Sequence, residues 1–141
     1  MQIAILAGDG IGPEVMVEAV KVLNKAGQRF SFSVKINEAP VGGAALDITG
    51  HPLPEETLKI CEKSNAILFG SVGGPKWEAF PPDKQPERGA LLPLRKHFSL
   101  YVNIRPIKVY PSLIDNCPLK NELIPGGVDI VFFRELFGYP V

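Results

Sequence analysis

Net charge is the first thing this 141-residue sequence lacks, since fifteen Lys and Arg balance fifteen Asp and Glu. Without a global field nothing draws in nucleic acid or an anionic membrane surface, so any anion binding has to be local. Long apolar runs are missing too. No stretch approaches the roughly 18 residues of a membrane span, and MQIAILAGDG carries no basic segment ahead of its short apolar run. Neither a membrane helix nor a secretory leader is read, and the chain is expected in the cytosol. Cysteine is scarce: Cys61 and Cys117 stand in unrelated contexts without metal-ligand spacing, which reads as two reduced, structural thiols. His51 and His97 have no recognisable carboxylate or cysteine arrangement around them and receive no role. Internal repeats and low-complexity tracts are absent. An ordinary globular domain, 45% hydrophobic and 21% charged, is the default reading.

What is present is an alternation of strand and helix patterns. Gln2 to Ala7 is a short apolar run. Pro13 to Lys25 carries Val15, Ala19, Val22 and Leu23 at helical spacing, with Pro13 suited to a first turn. Phe30, Phe32, Val34 and Ile36 alternate with polar residues, predicting a strand over 30–36. A glycine-rich connection (Val41 to Gly50), a helix over Pro54–Lys63 and a strand over Ala66–Phe69 repeat the crossover, so a largely parallel sheet is expected. The stretch from Gly70 to Glu87 holds too many prolines and glycines for regular structure and reads as a functional loop. A helix near Leu91–His97, a strand through Leu100–Val109 and a strand over Val128–Arg134 follow. That last strand, VDIVFF, is apolar on both faces and calls for cover on both sides.

The usual dinucleotide fingerprint is also wanting. Gly8-Asp9-Gly10-Ile11-Gly12-Pro13 follows a strand and opens a helix, but Pro13 stands where the third glycine is needed. No acidic residue caps the second strand before Glu38. A tight turn with Asp9 satisfying backbone donors explains the segment without a ligand.

Six strings occur in order: GDGIGPEV (Gly8–Val15), GGAALD (Gly42–Asp47), FGSVGGPKW (Phe69–Trp77), PERGALLPLRK (Pro86–Lys96), NIRP (Asn103–Pro106) and VDIVFFREL (Val128–Leu136). Together they resemble the β-decarboxylating dehydrogenases, the isocitrate/isopropylmalate dehydrogenase family. The GGPKW loop and LRK helix resemble the isopropylmalate branch. The resemblance implies an α/β fold: a partial version of that family's fold, with a mostly parallel sheet and flanking helices. It implies one partial domain over 1–141, in which 1–100 begin the family's first domain and 101–141 its second.

It further implies NAD-dependent oxidative decarboxylation of 3-isopropylmalate in leucine biosynthesis, with Arg95, Arg105 and Arg134 holding the substrate carboxylates. The chemistry suits them, because arginine's planar fork grips a carboxylate through paired, charge-assisted bonds where lysine offers a point charge. Taken alone, Arg95 also reads as a solvated helix residue, and Arg105 and Arg134 as salt-bridge members. Leu91 precedes Arg95 by four, so on a helix it would set an apolar group beside the clamp. That suits a branched alkyl substituent, although helix core explains Leu91 as well. By the same resemblance Gly74, Pro75, Lys76, Trp77, Pro86 and Glu87 reach the nicotinamide end of NAD, with Glu87 able to accept hydrogen bonds. An apolar pin for the loop remains open for Trp77.

The family's Mg²⁺ or Mn²⁺ is held by aspartates with no counterpart in these residues, and its catalytic tyrosine and lysine have none either. After REL the family's TGGIYFG is replaced by Phe137-Gly138-Tyr139-Pro140, and Tyr139 stands at the wrong distance from Arg134. No catalytic residue and no metal ligand are assigned, and the 141 residues are expected to be a shortened, N-terminal portion, inactive alone. The arm of the family homodimer has no counterpart either. The alternative is a non-catalytic module that holds an anion or a partner chain through the three arginines.

Overall fold

A computed structural model describes residues 1–136 in two compact units, Met1–His97 and the residues from Phe98 onward. The first unit holds β1 (Gln2–Gly8), α1 (Gly12–Phe30), β2 (Lys35–Glu38), α2 (Gly42–Thr49), α3 (Glu55–Glu62), β3 (Ala66–Ser71) and α4 (Leu92–His97). The second holds β4 (Val102–Lys108) and β5 (Asp129–Glu135). Tyr139 lies outside the described residues.

The first unit is α/β. Its three strands are parallel in the order β2-β1-β3, with Ile3 beside Ile36 on one side and Ala66 on the other. The central strand is buried on both faces, which explains why Ile3, Ala4, Ile5 and Leu6 run without a polar break. Ile3 and Ile5 meet Met16, Ala19, Val20 and Leu23 of α1, while α2 and α3 also lie against β1. Burying each of Ile3, Ile5 and Met16 contributes about 1.5–3 kcal/mol.

Helix α1 runs further than its periodicity predicts, and this shortens the strand that follows. Ser31 adopts a left-handed conformation, φ 56° and ψ 42°, and the Phe32 N–H reaches back to the Gly27 carbonyl at 3.0 Å. Phe30 is therefore the last residue of α1, and only Lys35–Glu38 pair as β2. The alternation of Phe30, Phe32 and Val34 belongs to a helix end and its exit.

The expected connection over Val41–Gly50 is a helix, α2. Its N-cap, Val41, has no side-chain acceptor; Asp9 supplies one from another part of the chain. The Asp9 carboxylate accepts from the N–H groups of Gly43 (2.7 Å) and Ala44 (2.7 Å). Two of the orphan donors of the first turn are thereby satisfied from a distance.

The loop after β3 is not wholly irregular. Pro75–Trp77 form a 3₁₀ turn, and Glu87–Leu91 form a π-turn, in which the Leu92 N–H bonds to the Glu87 carbonyl, leading into α4. In the second unit β4 and β5 pair antiparallel, Val102 opposite Glu135 and Lys108 opposite Asp129, while the larger sheet is parallel as expected. Arg105 lies in mid-strand. The apolar residues of β5 are exposed on both faces, Phe133 to 71%.

Gly42 opens α2 with φ +74°, and a Cβ there would stand 2.5 Å from Asp9 Oδ2 and 2.7 Å from Val72 Cγ1. Gly42→Ala is expected to cost about 1–3 kcal/mol, read as a lower urea midpoint. An unchanged midpoint would show that the entry to α2 accommodates a side chain.

Candidate functional site

The end of β1 enters a turn that the Asp9 carboxylate ties to two distant segments. Asp9 is 4% exposed. Its Oδ2 accepts from Gly43 N–H and from Gly73 N–H at 2.9 Å, and its Oδ1 accepts from Ala44 N–H. The backbone of the same residue is committed as well: Asp9 N–H donates to Ser71 O at 2.6 Å, and Ser71 Oγ donates to Asp9 O at 3.0 Å. The turn thereby fixes the place where β3 becomes the long loop. The reading of Asp9 as a backbone acceptor holds, but its donors lie 34, 35 and 64 residues away in sequence. No local motif could reveal them.

The loop folds back over α2. The Trp77 ring lies so close to Gly43 that a Cβ on Gly43 would collide with it, and a glycine at the start of α2 thus gives the indole its seat. Trp77 Nε1 donates to Asp47 Oδ1 at 3.2 Å, and Lys76 Nζ meets Asp47 Oδ2 at 2.5 Å. The same ammonium lies 5.2 Å from the centre of the Trp77 ring. These contacts make Trp77 a pin for the loop, and Asp47 is the receiving residue that sequence reasoning missed. The GGAALD string ends on Asp47, but nothing in its spacing points to partners 29 and 30 residues on.

Pinned in this way, the loop encloses an open pocket of about 310 Å³. Gly74, Trp77, Pro86 and Glu87, all singled out from the sequence, line it together with Val72, Gly73, Glu78 and Gln85. Pro75 and Lys76 are not among its walls. Gly73 and Gly74 bring bare backbone to the pocket and Glu87 a carboxylate, a combination that can accept hydrogen bonds from hydroxyl or amide groups beside an aromatic face. Leu91 closes the π-turn and Arg95 sits one turn later in α4; both are half-buried.

In the second unit, Arg134 pairs with Asn103 across the ribbon, and Arg105 follows Asn103 by two. The period of a strand sets Arg105 and Arg134 on one face. Arg105 Nε donates to Asn103 Oδ1 at 3.0 Å. Among the described residues none of Arg95, Arg105 and Arg134 forms an ion pair. The acids of the ribbon, Asp129 and Glu135, fall on its other face by register, where Asp129 meets Lys108 at 3.4 Å. The arginine face carries two cations, no carboxylate from the ribbon and an aromatic neighbour, Phe132.

His97 Nε2 lies 2.8 Å from Glu62 Oε1, an α4–α3 contact that the sequence did not disclose. Cys61 is buried, and desolvation pushes its thiol up from its ordinary value, which disfavours thiolate chemistry. Among the described residues no three His, Cys, Asp or Glu side chains gather as a metal site requires.

The family model for isocitrate/isopropylmalate dehydrogenase matches residues 2–139. A curated 3-isopropylmalate dehydrogenase of Haemophilus influenzae (strain 86-028NP) is 61% identical over 136 residues, which are 96% of this chain and 38% of the relative. Those of Campylobacter jejuni (strain RM1221) and Escherichia coli (strain K12) are 59% and 57% identical, again with 38% of their length covered. The chain thus spans well under half the length of the curated relatives it matches. Among solved structures, the apo form of a β-decarboxylating dehydrogenase from Thermococcus kodakarensis aligns with a TM-score of 0.65 and 30% identity, over 95% of this chain and 33% of that one. An isocitrate dehydrogenase from Methylococcus capsulatus aligns with a TM-score of 0.68 and 26% identity, over 95% and 34%.

The hydrogen bonds from Lys76 and then Trp77 hold the Asp47 carboxyl below its ordinary value. A lowered carboxylate value means that the latch contributes fully above the ordinary range and is lost as pH falls through the lowered one. Acid titration followed by Trp77 fluorescence should therefore show a transition below the usual carboxylate range, and Lys76→Met should move it upward. An unmoved transition would show that Lys76 does not set it.

Proposed function

We propose, on the premise that the chain belongs to the isocitrate/isopropylmalate dehydrogenase family, that it supplies part of an NAD-dependent 3-isopropylmalate dehydrogenase. Such an enzyme oxidises and decarboxylates 3-isopropylmalate in leucine biosynthesis, in the cytoplasm. The observation that carries the reading is the 57–61% identity to relatives bearing that name. The first unit is assigned to the start of the family's first domain, and the second to the start of the other. The assembled enzyme is assigned as a homodimer.

In this reading Arg95, Arg105 and Arg134 hold the two carboxylates of the substrate, and Leu91 faces its branched alkyl group. The unbalanced cationic face of the ribbon supports the role of Arg105 and Arg134, since a dicarboxylate offers each guanidinium a paired, charge-assisted contact. The pocket of Gly74, Trp77, Pro86 and Glu87 takes the nicotinamide end of NAD. Its size lies at the low end for ligand sites, about 300–1,000 Å³, which fits one end of a dinucleotide rather than the whole. Bare glycine backbone and the Glu87 carboxylate fit the amide and hydroxyl groups of that end. Lys76 acts from outside the pocket by setting the loop on Asp47, and Pro75 by opening the 3₁₀ turn that carries it. NAD, when bound, accepts a hydride; these residues orient it and shield one side from water.

Magnesium or manganese prefers several converging oxygen ligands, and the described residues bring no such group together. No step through the metal is assigned to them. A second reading, an anion-holding module without turnover, draws on the same arginine face.

In a thermal shift assay 3-isopropylmalate should raise the midpoint, by about 2.7 kcal/mol of stabilisation at a hundred times Kd, and Arg105→Ala should remove the effect. Sulfate acting equally well would favour the anion-holding module, and no response to either would overturn the clamp. With magnesium or manganese present, the pure 141-residue chain is expected to form no NADH; formation that depends on isopropylmalate would overturn the expected inactivity.

A further inference from the structure

We infer that Asp9 is a positioning residue for the loop pocket, acting through two arms that start from its two carboxylate oxygens. The first arm is direct. Oδ2 accepts from Gly73 N–H at 2.9 Å, and Gly73 is itself a wall of the pocket. The second arm passes through α2. Oδ1 and Oδ2 accept from Ala44 and Gly43 N–H, which sets the axial position of α2. Asp47, on the same helix, then receives Trp77 Nε1 and Lys76 Nζ. Trp77 is another wall, and its ring rests on Gly43, whose N–H Asp9 holds. One buried carboxylate thus sets two walls of one pocket and fixes their separation.

The chemistry requires a carboxylate. Three N–H groups converge on two oxygens, and asparagine, of the same shape, offers only one oxygen while its amide nitrogen turns donor against donor. The alternative, a purely stabilising role, predicts that Asp9 affects the pocket no more than any other buried residue of the unit. The functional meaning of the positioning rests on the reading of this pocket as the nicotinamide site, but the positioning itself is testable without a ligand.

Trp77 is the chain's one tryptophan, so its fluorescence reports the pocket wall alone. The experiment compares the 141-residue wild-type chain, Asp9→Asn and Met16→Ala by Trp77 emission, acrylamide quenching and NAD titration. Met16 packs on Ile3 and Ile5, and its truncation lowers stability without touching α2 or the loop. Asp9→Asn is expected to shift emission to the red, increase quenching and lose any NAD-induced change. Met16→Ala, compared at equal fraction folded, should keep the wild-type signature. Identical signatures for the two variants, or a wild-type signature for Asp9→Asn, would overturn the inference.

If Asp9→Asn does not fold, Asp47→Ala decides, since it cuts the second arm at an exposed residue. A red shift there supports the inference, and an unchanged Trp77 overturns it. A wild-type chain indifferent to NAD would sink the cofactor reading and not the positioning, which the ligand-free Trp77 comparison then decides alone.

Discussion

A carboxylate withdrawn from water is expensive, by several kcal/mol even after relaxation, and Asp9 is withdrawn while forming no ion pair among the described residues. Backbone N–H groups from three residues replace the water. Hydrogen bonds to a charged group contribute about 1.5–3 kcal/mol each, so three of them are of the order needed to offset the burial. The dipole of α2, whose N-terminus faces the carboxylate, acts in the same direction. The arrangement succeeds only if the β1 turn, the first turn of α2 and the exit of β3 arrive together. The sheet edge, the helix and the loop thereby become interdependent.

The parts of the fold legible in the sequence are those whose cause is local. β1 shows as an unbroken apolar run because both its faces are covered, and α1 and α3 show through spacing and early prolines. The parts that were not legible have distant causes. α2 has no capping side chain of its own, so its GGAALDIT stretch reads as a connection until Asp9 is brought up to it. The alternation from Phe30 to Ile36 was a true pattern with another origin, the end of a helix in a left-handed residue. The antiparallel pairing of β4 and β5 depends on a connection whose course carries no periodic signal.

The candidate site divides in the same way. Glycine content and proline content mark the loop, and Gly74, Trp77, Pro86 and Glu87 do come together there. What the loop rests on was invisible, because Asp47 is separated from Lys76 and Trp77 by whole elements. For the arginines, residue type suggested an anion clamp, while register supplied what residue type could not: Arg105 and Arg134 share a face from which the ribbon's own carboxylates are absent.

The π-turn at Glu87–Leu91 has a consequence for how this region tolerates change in length. Its backbone bond spans one residue more than an α-turn, and each α-helical residue turns the chain by about 100°. The turn therefore sets the angular phase of α4 against the anchored loop. Glu87 stays at the pocket wall on one side while Leu94 stays buried on the other. Removing one residue here would leave every local propensity intact and yet swing Leu94 and Arg95 more than a quarter of the way round the helix, putting a charge where a leucine was buried.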